Sequence, residues 1–257
     1  MNRRVTVGIV VYKTPISELV PLFNQLHDTP EVVQVLVFDN GVSTALHAEV
    51  VRRGWIYQTE GRNLGFGSGH NRLLARLGDY PQADLHLLCN PDVAWEENPL
   101  PRLISYLDTN SRVCAVMPDV FGLDGARQYL AKGKPTPLIL FGRRFLPRAW
   151  LTKRMDQYEL RKLSFDRPTV VPIISGCFML LKTAALQAID GFDERYFLYL
   201  EDYDLCRRLQ KKGYEVAIEP RAKILHGHTR SSYSWGWPLW WHVSSALRYF
   251  LCRPRKS

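Results

Sequence analysis

The sequence predicts an α/β domain with a mostly parallel central sheet flanked by helices. Three observations carry this reading. Short apolar runs rich in β-branched residues recur along the chain, as strands buried on both faces require. Segments of helical periodicity lie between them, and such alternation is what parallel crossovers produce. Two of the apolar runs end in polar clusters, Asp39-Asn40-Gly41 and Asn90-Pro91-Asp92, and open α/β sheets bind ligands beyond the carboxyl ends of their strands.

Val5 to Tyr12 is the first buried strand, and a helix follows from Pro15 to His27, with proline suited to its start. Val32 to Phe38 is the second strand, Ala45 to Arg53 a helix, and Trp55 to Thr59 the third strand. The segment from Asn63 opens a helix running through Leu77. Leu85 to Cys89 reads as strand, Leu100 to Leu107 as helix and Val113 to Met117 as a fifth strand. Further on, Val170 to Leu181 is strand-like but interrupted at Ser175-Gly176. Lys182 to Ile189 is a short helix, Leu200 to Lys212 a longer one ended by Gly213, and Tyr214 to Ile218 and Lys223 to Leu225 are two short strands.

The 257 residues are 46% hydrophobic and 23% charged, enough apolar content to bury a sizeable core. No run of about 18 apolar residues is present to span a bilayer. Met1 to Val5 run into the first strand without the apolar core of a signal peptide. Five scattered cysteines without a Cys-x-x-Cys pair fit reduced thiols in a cytoplasmic compartment.

The net charge of +9 is uneven. Residues 132–167 hold ten Lys/Arg against three Asp/Glu, and residues 221–257 hold seven Lys/Arg and no acid, a net +7 in each. Such segments attract phosphates or anionic surfaces, and the chain carries no recognised nucleic-acid-binding motif beside them. Both are also greasy: the first includes residues 137–150, and the second places Trp235, Trp237, Trp240 and Trp241 within seven residues. Positions 237, 240, 241, 244, 247, 248 and 251 share one helical face ahead of Arg253-Pro254-Arg255-Lys256. A helix docked on its own core and a helix lying on a membrane surface share this periodicity.

Asp39 can accept a hydrogen bond from a base N–H, and Asp92 can ligate a divalent cation, although Asp and Asn also end strands simply as turn formers. Gly65, Gly67 and Gly69 lack the dinucleotide fingerprint, because position 70 is His70 and the loop follows the third strand. A glycine-rich helix start still brings backbone N–H groups to a ligand, with Asn63 and Asn71 alongside, and close packing is the competing reason for the glycines. Tyr199-Leu200-Glu201-Asp202-Tyr203-Asp204 sets three carboxylates within four positions at a helix start. Acids favour helix N-termini, and in an aromatic setting they also serve as a general base. His226 and His228, with Arg230, offer a metal or phosphate contact after a short strand.

Taken in order, Val10-Val11-Tyr12, Val37 to Gly41, Asn63 to Gly67 with Asn71, Leu88 to Val93, Ser175 to Leu180, and Gly191 to Leu205 resemble an inverting nucleotide-sugar glycosyltransferase of family 2. The resemblance covers residues 5–231 and within the family is nearest to bacterial rhamnosyltransferases that use dTDP-L-rhamnose. It implies a GT-A fold over residues 1–231, with 132–167 as an insertion and 232–257 as an extension. It implies that Tyr12, Asp39, Asn63, Gly65, Asn71, Asn90, Asp92 and Gly176 bind the nucleotide sugar. Asp92 and His226 would hold Mg²⁺ or Mn²⁺, with Asn90 standing where the family has the first acid of its Asp-x-Asp motif. Asp202, with Glu201 beside it, would deprotonate the acceptor. The implied partners are a nucleotide-sugar donor, a saccharide or polyprenyl-diphosphate-linked acceptor and an anionic membrane surface, and not a nucleic acid. The implied location is cytoplasmic, peripheral at the inner membrane face. UDP-GlcNAc, UDP-galactose or GDP-mannose donors are the alternatives within the family, and a non-catalytic membrane- or polysaccharide-binding protein the alternative outside it.

Overall fold

A computed structural model of the chain describes residues 4–140, 148–227 and 237–251. Its first half holds β1 (Val5–Val11), α1 (Ile16–His27), β2 (Val32–Asp39), α2 (Thr44–Arg52), β3 (Ile56–Gln58), α3 (Phe66–Leu74), β4 (Leu85–Cys89), β5 (Val93–Ala94) and α4 (Leu100–Thr109). Next come β6 (Val113–Phe121), β7 (Arg127–Gln128), α5 (Arg148–Tyr158), β8 (Thr169–Val170), β9 (Phe178–Lys182) and α6 (Thr183–Gln187). The last elements are α7 (Glu201–Lys211), β10 (Glu215–His226) and α8 (Trp237–Leu251).

One twisted sheet runs β3-β2-β1-β4-β9-β6-β10-β5, with β7 on β6 and β8 on β10. β1 is parallel to β2 and β4, β2 to β3, and β6 to β10. β9 is antiparallel to both β4 and β6, with Phe178 opposite Cys89. That reversal brings the amino end of β9 to the edge where β1, β2, β4 and β10 end. Polar groups from opposite ends of the sequence therefore converge on one rim.

The apolar runs behave as their composition requires: all seven residues of β1 and all five of β4 are buried. α3 lies close on the sheet because it has glycines where side chains would collide. A Cβ at Gly69 would stand 3.0 Å from Val10, and one at Gly67 3.0 Å from Phe192. A smaller second core joins Ile139, Leu140, Tyr158, Tyr196, Leu200 and Ala246, tying the segment before α5 and the α7 approach to α8.

Several sequence expectations shift. The helix from Asn63 begins only at Phe66, because Asn63 to Gly65 form the turn that caps it. The strand expected across 170–181 is two strands, separated where Ser175-Gly176 cross the rim. The two short strands near 214–225 are one, β10, whose register breaks between Glu219 and Lys223. Pro220, which has no N–H to donate, sits in that break. The 231/232 domain boundary lies outside the described residues, as do residues 141–147, His228, Arg230, Trp235 and the Arg253–Lys256 tail.

Candidate active site

Three groups of polar residues stand along the rim. The first is at the ends of β1 and β2. Asp39 is 1% exposed. Its Oδ1 accepts from the Gly41 N–H at 2.6 Å, and its Oδ2 accepts from the Ser43 N–H at 2.6 Å and the Tyr57 hydroxyl at 2.9 Å. A carboxylate has about four acceptor positions, so one remains for a ligand. Its own burial, and then the hydrogen bond to Asp39 and the charge of that residue, raise the Tyr57 phenol to about 12.

Asn40 clamps the neighbouring loop: its Nδ2 donates to the Gly65 carbonyl at 3.2 Å and its Oδ1 accepts from the Leu64 N–H at 2.8 Å. Asn63 Oδ1 accepts from the Gly65 N–H at 2.9 Å. Gly65 has φ 85°, and a Cβ there would fall 2.1 Å from the Phe197 carbonyl oxygen, so no side chain fits. Tyr12, just after β1, is 51% exposed, with Lys13 Nζ 5.3 Å over its ring. Asn71 points elsewhere. Its amide donates to the Phe192 carbonyl at 2.9 Å and accepts from the Phe192 N–H at 2.8 Å, which makes it a backbone clamp in the described structure.

The second group is Asn90, Asp92 and His226. β4 ends at Cys89, β10 ends at His226, and the Gly227 N–H donates to the Asp92 carbonyl at 2.9 Å. His226 is 4% exposed. Gln128 Nε2 donates to the His226 carbonyl at 2.9 Å, leaving its Oε1 to accept from His226 Nδ1–H at 3.0 Å. In the neutral ring Nε2 carries the lone pair, and it faces Asp92 Oδ1 and Asn90 Nδ2, each at 3.3 Å. A carboxylate oxygen and an imidazole lone pair at that separation suit a divalent cation whose other ligands are phosphate oxygens and water. Among the described residues no group of three His, Cys, Asp or Glu gathers to hold a metal alone. The donor set fits a cation shared with a diphosphate.

The third group is at the start of α7. Tyr199 and Leu200 both hold left-handed backbone, φ 69° and 67°, an uncommon state for bulky side chains. The turn they make presents Glu201 and Asp202 at the helix N-terminus. Asp202 Oδ2 accepts from the Gly176 N–H at 3.2 Å and Oδ1 from the Tyr203 N–H at 2.9 Å, and the Ser175 hydroxyl adds a further bond. Glu201 is 7% exposed, and its Oε2 is buried without a hydrogen-bond partner among the described residues.

Burial pushes both carboxyls upward. The charge of Asp202 raises Glu201 further, whereas the donors around Asp202 hold its own rise back. The donors on Asp202 favour its anion, and their lack on Glu201 favours its neutral form. Asp204 is settled otherwise, fully buried against Arg207 and Arg208 at 2.5 and 2.6 Å. It is a structural ion pair, not a free base.

Gly176 joins the groups: a Cβ on it would lie 3.3 Å from the Phe66 ring and 3.7 Å from Asp202 Cβ. Phe66, just after the Gly65 turn, also donates its N–H to the Phe197 carbonyl at 3.2 Å. Sequence reasoning missed Gln128 and did not assign Asn40 its clamp. A carboxamide that orients a histidine 98 positions away leaves no local pattern. A cavity of about 750 Å³ beside Trp95, Phe121, Phe165 and residues 220–225 contains none of the expected site residues.

Comparisons with known proteins agree with this geometry. Residues 5–244 match the profile of glycosyltransferase like family 2. The chain is 32% identical over 218 residues to the N-acetylglucosaminyl-diphospho-decaprenol L-rhamnosyltransferase of Mycobacterium tuberculosis, covering 79% of this chain and 69% of that one. It is 28% identical over 244 residues to the rhamnosyltransferase WbbL of Escherichia coli, covering 91% and 88%. Two solved structures share the fold. GalNAc-T7 with UDP, GalNAc and Mn²⁺ has a TM-score of 0.65 at 14% identity, over 94% of this chain and 47% of that one. The Pyrobaculum calidifontis mannosyltransferase with GDP-Man and Mn²⁺ has a TM-score of 0.60 at 16% identity, over 90% and 58%. With the family profile matched across nearly its whole length and the GT-A architecture in place, the chain belongs to glycosyltransferase like family 2 and is a glycosyltransferase.

Proposed function

We propose that this glycosyltransferase moves L-rhamnose from dTDP-L-rhamnose, with inversion, onto a saccharide carried on a polyprenyl diphosphate, in the synthesis of a bacterial surface polysaccharide. The observation that carries the proposal is the carboxylate of Asp202, held by the Gly176 and Tyr203 N–H groups at the start of α7, on the same rim as the Asn90-Asp92-His226 group. One base is what an inverting displacement needs. The names of the two relatives support the sugar and the lipid-linked acceptor. In this reading the lipid-linked acceptor places the enzyme at the inner face of the cytoplasmic membrane.

The nucleotide lies along Tyr12, Asp39, Asn63 and Gly65, with the Tyr12 ring against the base and the remaining acceptor position of Asp39 on a base N–H. Asn71 supports that loop through its hold on Phe192. Asp92 and His226 would hold Mg²⁺ or Mn²⁺, with Asn90 as a neutral neighbour. When bound, the cation offsets charge on the leaving diphosphate. Gly176 leaves room for the sugar beside Asp202. Asp202 takes the proton from the acceptor hydroxyl as that oxygen bonds to the anomeric carbon and the carbon–phosphate oxygen bond breaks, releasing dTDP. Glu201, neutral, leaves that role to its neighbour.

The test is transfer of labelled rhamnose to an organic-extractable, polyprenyl-linked acceptor. Asp202→Asn is expected to cut the rate by about 10²–10⁴-fold while dTDP-rhamnose binding by calorimetry is retained. Preferred binding of UDP-GlcNAc or GDP-mannose would replace the donor assignment.

A further inference from the structure

The rim accounts for neither basic, aromatic segment, and the structure shows how α8 sits. The helix docks by a side that combines small and polar residues with the rings of Trp241, Tyr249 and Phe250. His242, Ser245 and Ala246 are buried, at 4%, 2% and 0% exposed. Ser245 Oγ donates to the Leu198 carbonyl at 2.9 Å, and the Trp241 ring packs 4.8 Å from Phe197. The opposite line faces outward: Trp240 is 64%, Leu247 47% and Leu251 78% exposed. Positions 240, 244, 247 and 251 are one helical stripe. This is the line at the centre of the apolar face legible in the sequence, and it is turned away from the protein's own core.

We propose that the outward stripe of α8 is a docking surface for an anionic lipid bilayer. A Trp-edged stripe on a helix in a strongly basic segment is the composition of a helix lying in a membrane interface. Residues 221–257 carry a net +7 with no acid. The other basic segment arrives beside it. Leu140, Met155 and Tyr158 share the second core with Ala246 and Tyr249, and exposed Lys134 and Lys211 flank Tyr249 at a cavity of about 390 Å³. The described parts of the two basic segments therefore meet on one side of the molecule, in a chain of net charge +9. That charge complements anionic headgroups and opposes a second copy, which would bring the same charge.

No described helix is long and apolar enough to cross a membrane. The surface is for lying on a bilayer, not entering it. Its position matters for the reaction. The inner side of α8 holds Phe197 and Leu198, the two residues just before the left-handed pair that presents Glu201 and Asp202. The bilayer is thus held about one helix diameter, roughly 10–12 Å, from the turn carrying the base. The proposal rests on the lipid-linked acceptor only for what the bilayer delivers, and bilayer docking is measurable without any sugar.

The test is co-sedimentation of the full chain with vesicles of phosphatidylcholine alone or containing phosphatidylglycerol, for wild type and for Trp240→Glu/Leu247→Glu. Both positions are exposed, so the variant should keep its thermal melting temperature. Wild type should bind the anionic vesicles, and the double variant should bind about tenfold or more weakly, having lost apolar insertion and gained repulsion. Transfer to a water-soluble acceptor analogue should stay within about twofold in the variant, since neither residue touches the rim. Equal vesicle binding by wild type and variant would overturn the proposal. So would a wild-type dimer by light scattering that the variant turns into a monomer, without vesicle binding by either. Vesicle binding without any rhamnosyl transfer would sustain the proposal and count against the rhamnosyl assignment.

Discussion

The two halves of the rim are built differently. The donor side, at the ends of β1 and β2, hangs from strands buried at nearly every position, and its polar atoms are tied to one another. Asp39 takes three internal donors, and Asn40 and Asn63 lock the Gly65 turn. The acceptor side hangs from a turn with two consecutive left-handed residues, a buried acid with an orphaned oxygen, and a helix attached through a small second core. In the proposed reading, a fixed donor side suits a nucleotide held in the same way in every turnover. A strained, lightly anchored acceptor side suits a group that arrives from a surface.

The largest expected effect tests the acceptor side: Asp202→Asn should lose about 10²–10⁴ in transfer rate, whereas Glu201→Gln, which mimics the neutral acid, should stay within about tenfold. Rapid-quench assays of both variants decide between the two carboxylates.

On the donor side, Gly65→Ala should destabilise the fold by about 2 kcal/mol or more and abolish dTDP binding, because its Cβ would meet the Phe197 carbonyl and the left-handed backbone is strained for alanine. Thermal unfolding and calorimetry read both. Between the halves, Gln128→Leu should free the His226 ring to turn and weaken Mn²⁺ binding in the presence of dTDP by about 10–100-fold, read by electron paramagnetic resonance.

The pH dependence follows from the raised carboxyls. Asp202 works only as the anion, so kcat/KM should fall with decreasing pH on a limb above the ordinary carboxylate range, not within it. For stability the sign is the reverse of a salt-bridged acid. A buried Glu201 that holds its proton more tightly folded than unfolded contributes stability below the ordinary glutamate pKa, lost as pH rises through the raised folded value. Glu201→Gln should therefore flatten the alkaline decline of the melting temperature. The smallest effect is Ser245→Ala, about 1 kcal/mol for the lost bond to Leu198, visible as slightly weaker anchoring of α8.

The same contrast explains what the sequence disclosed. The donor side was legible because its information is local: β-branched runs mark buried strands, and Asp39-Asn40 and Asn90-Asp92 mark where they end. The acceptor side needed distant pairings. Nothing near Ser175 announces that β9 runs antiparallel, nor near Gln128 that it orients His226. Three acids at 201–204 read as one cluster, and only the structure separates Asp204, neutralised by Arg207 and Arg208, from Asp202. The glycines at 67 and 69 resembled ligand-loop residues and serve close packing of α3. The helical period located the apolar face of α8 but not its direction, because periodicity is blind to which side meets the protein.

The most direct test of Asp202 as the single base is the pH profile of single-turnover rhamnosyl transfer by wild type, Asp202→Asn and Glu201→Gln. An acid limb present in wild type and Glu201→Gln, with at most about 10⁻² of the rate left in Asp202→Asn, is the result expected. A wild-type rate retained by Asp202→Asn, or a limb that vanishes with Glu201→Gln, would contradict it.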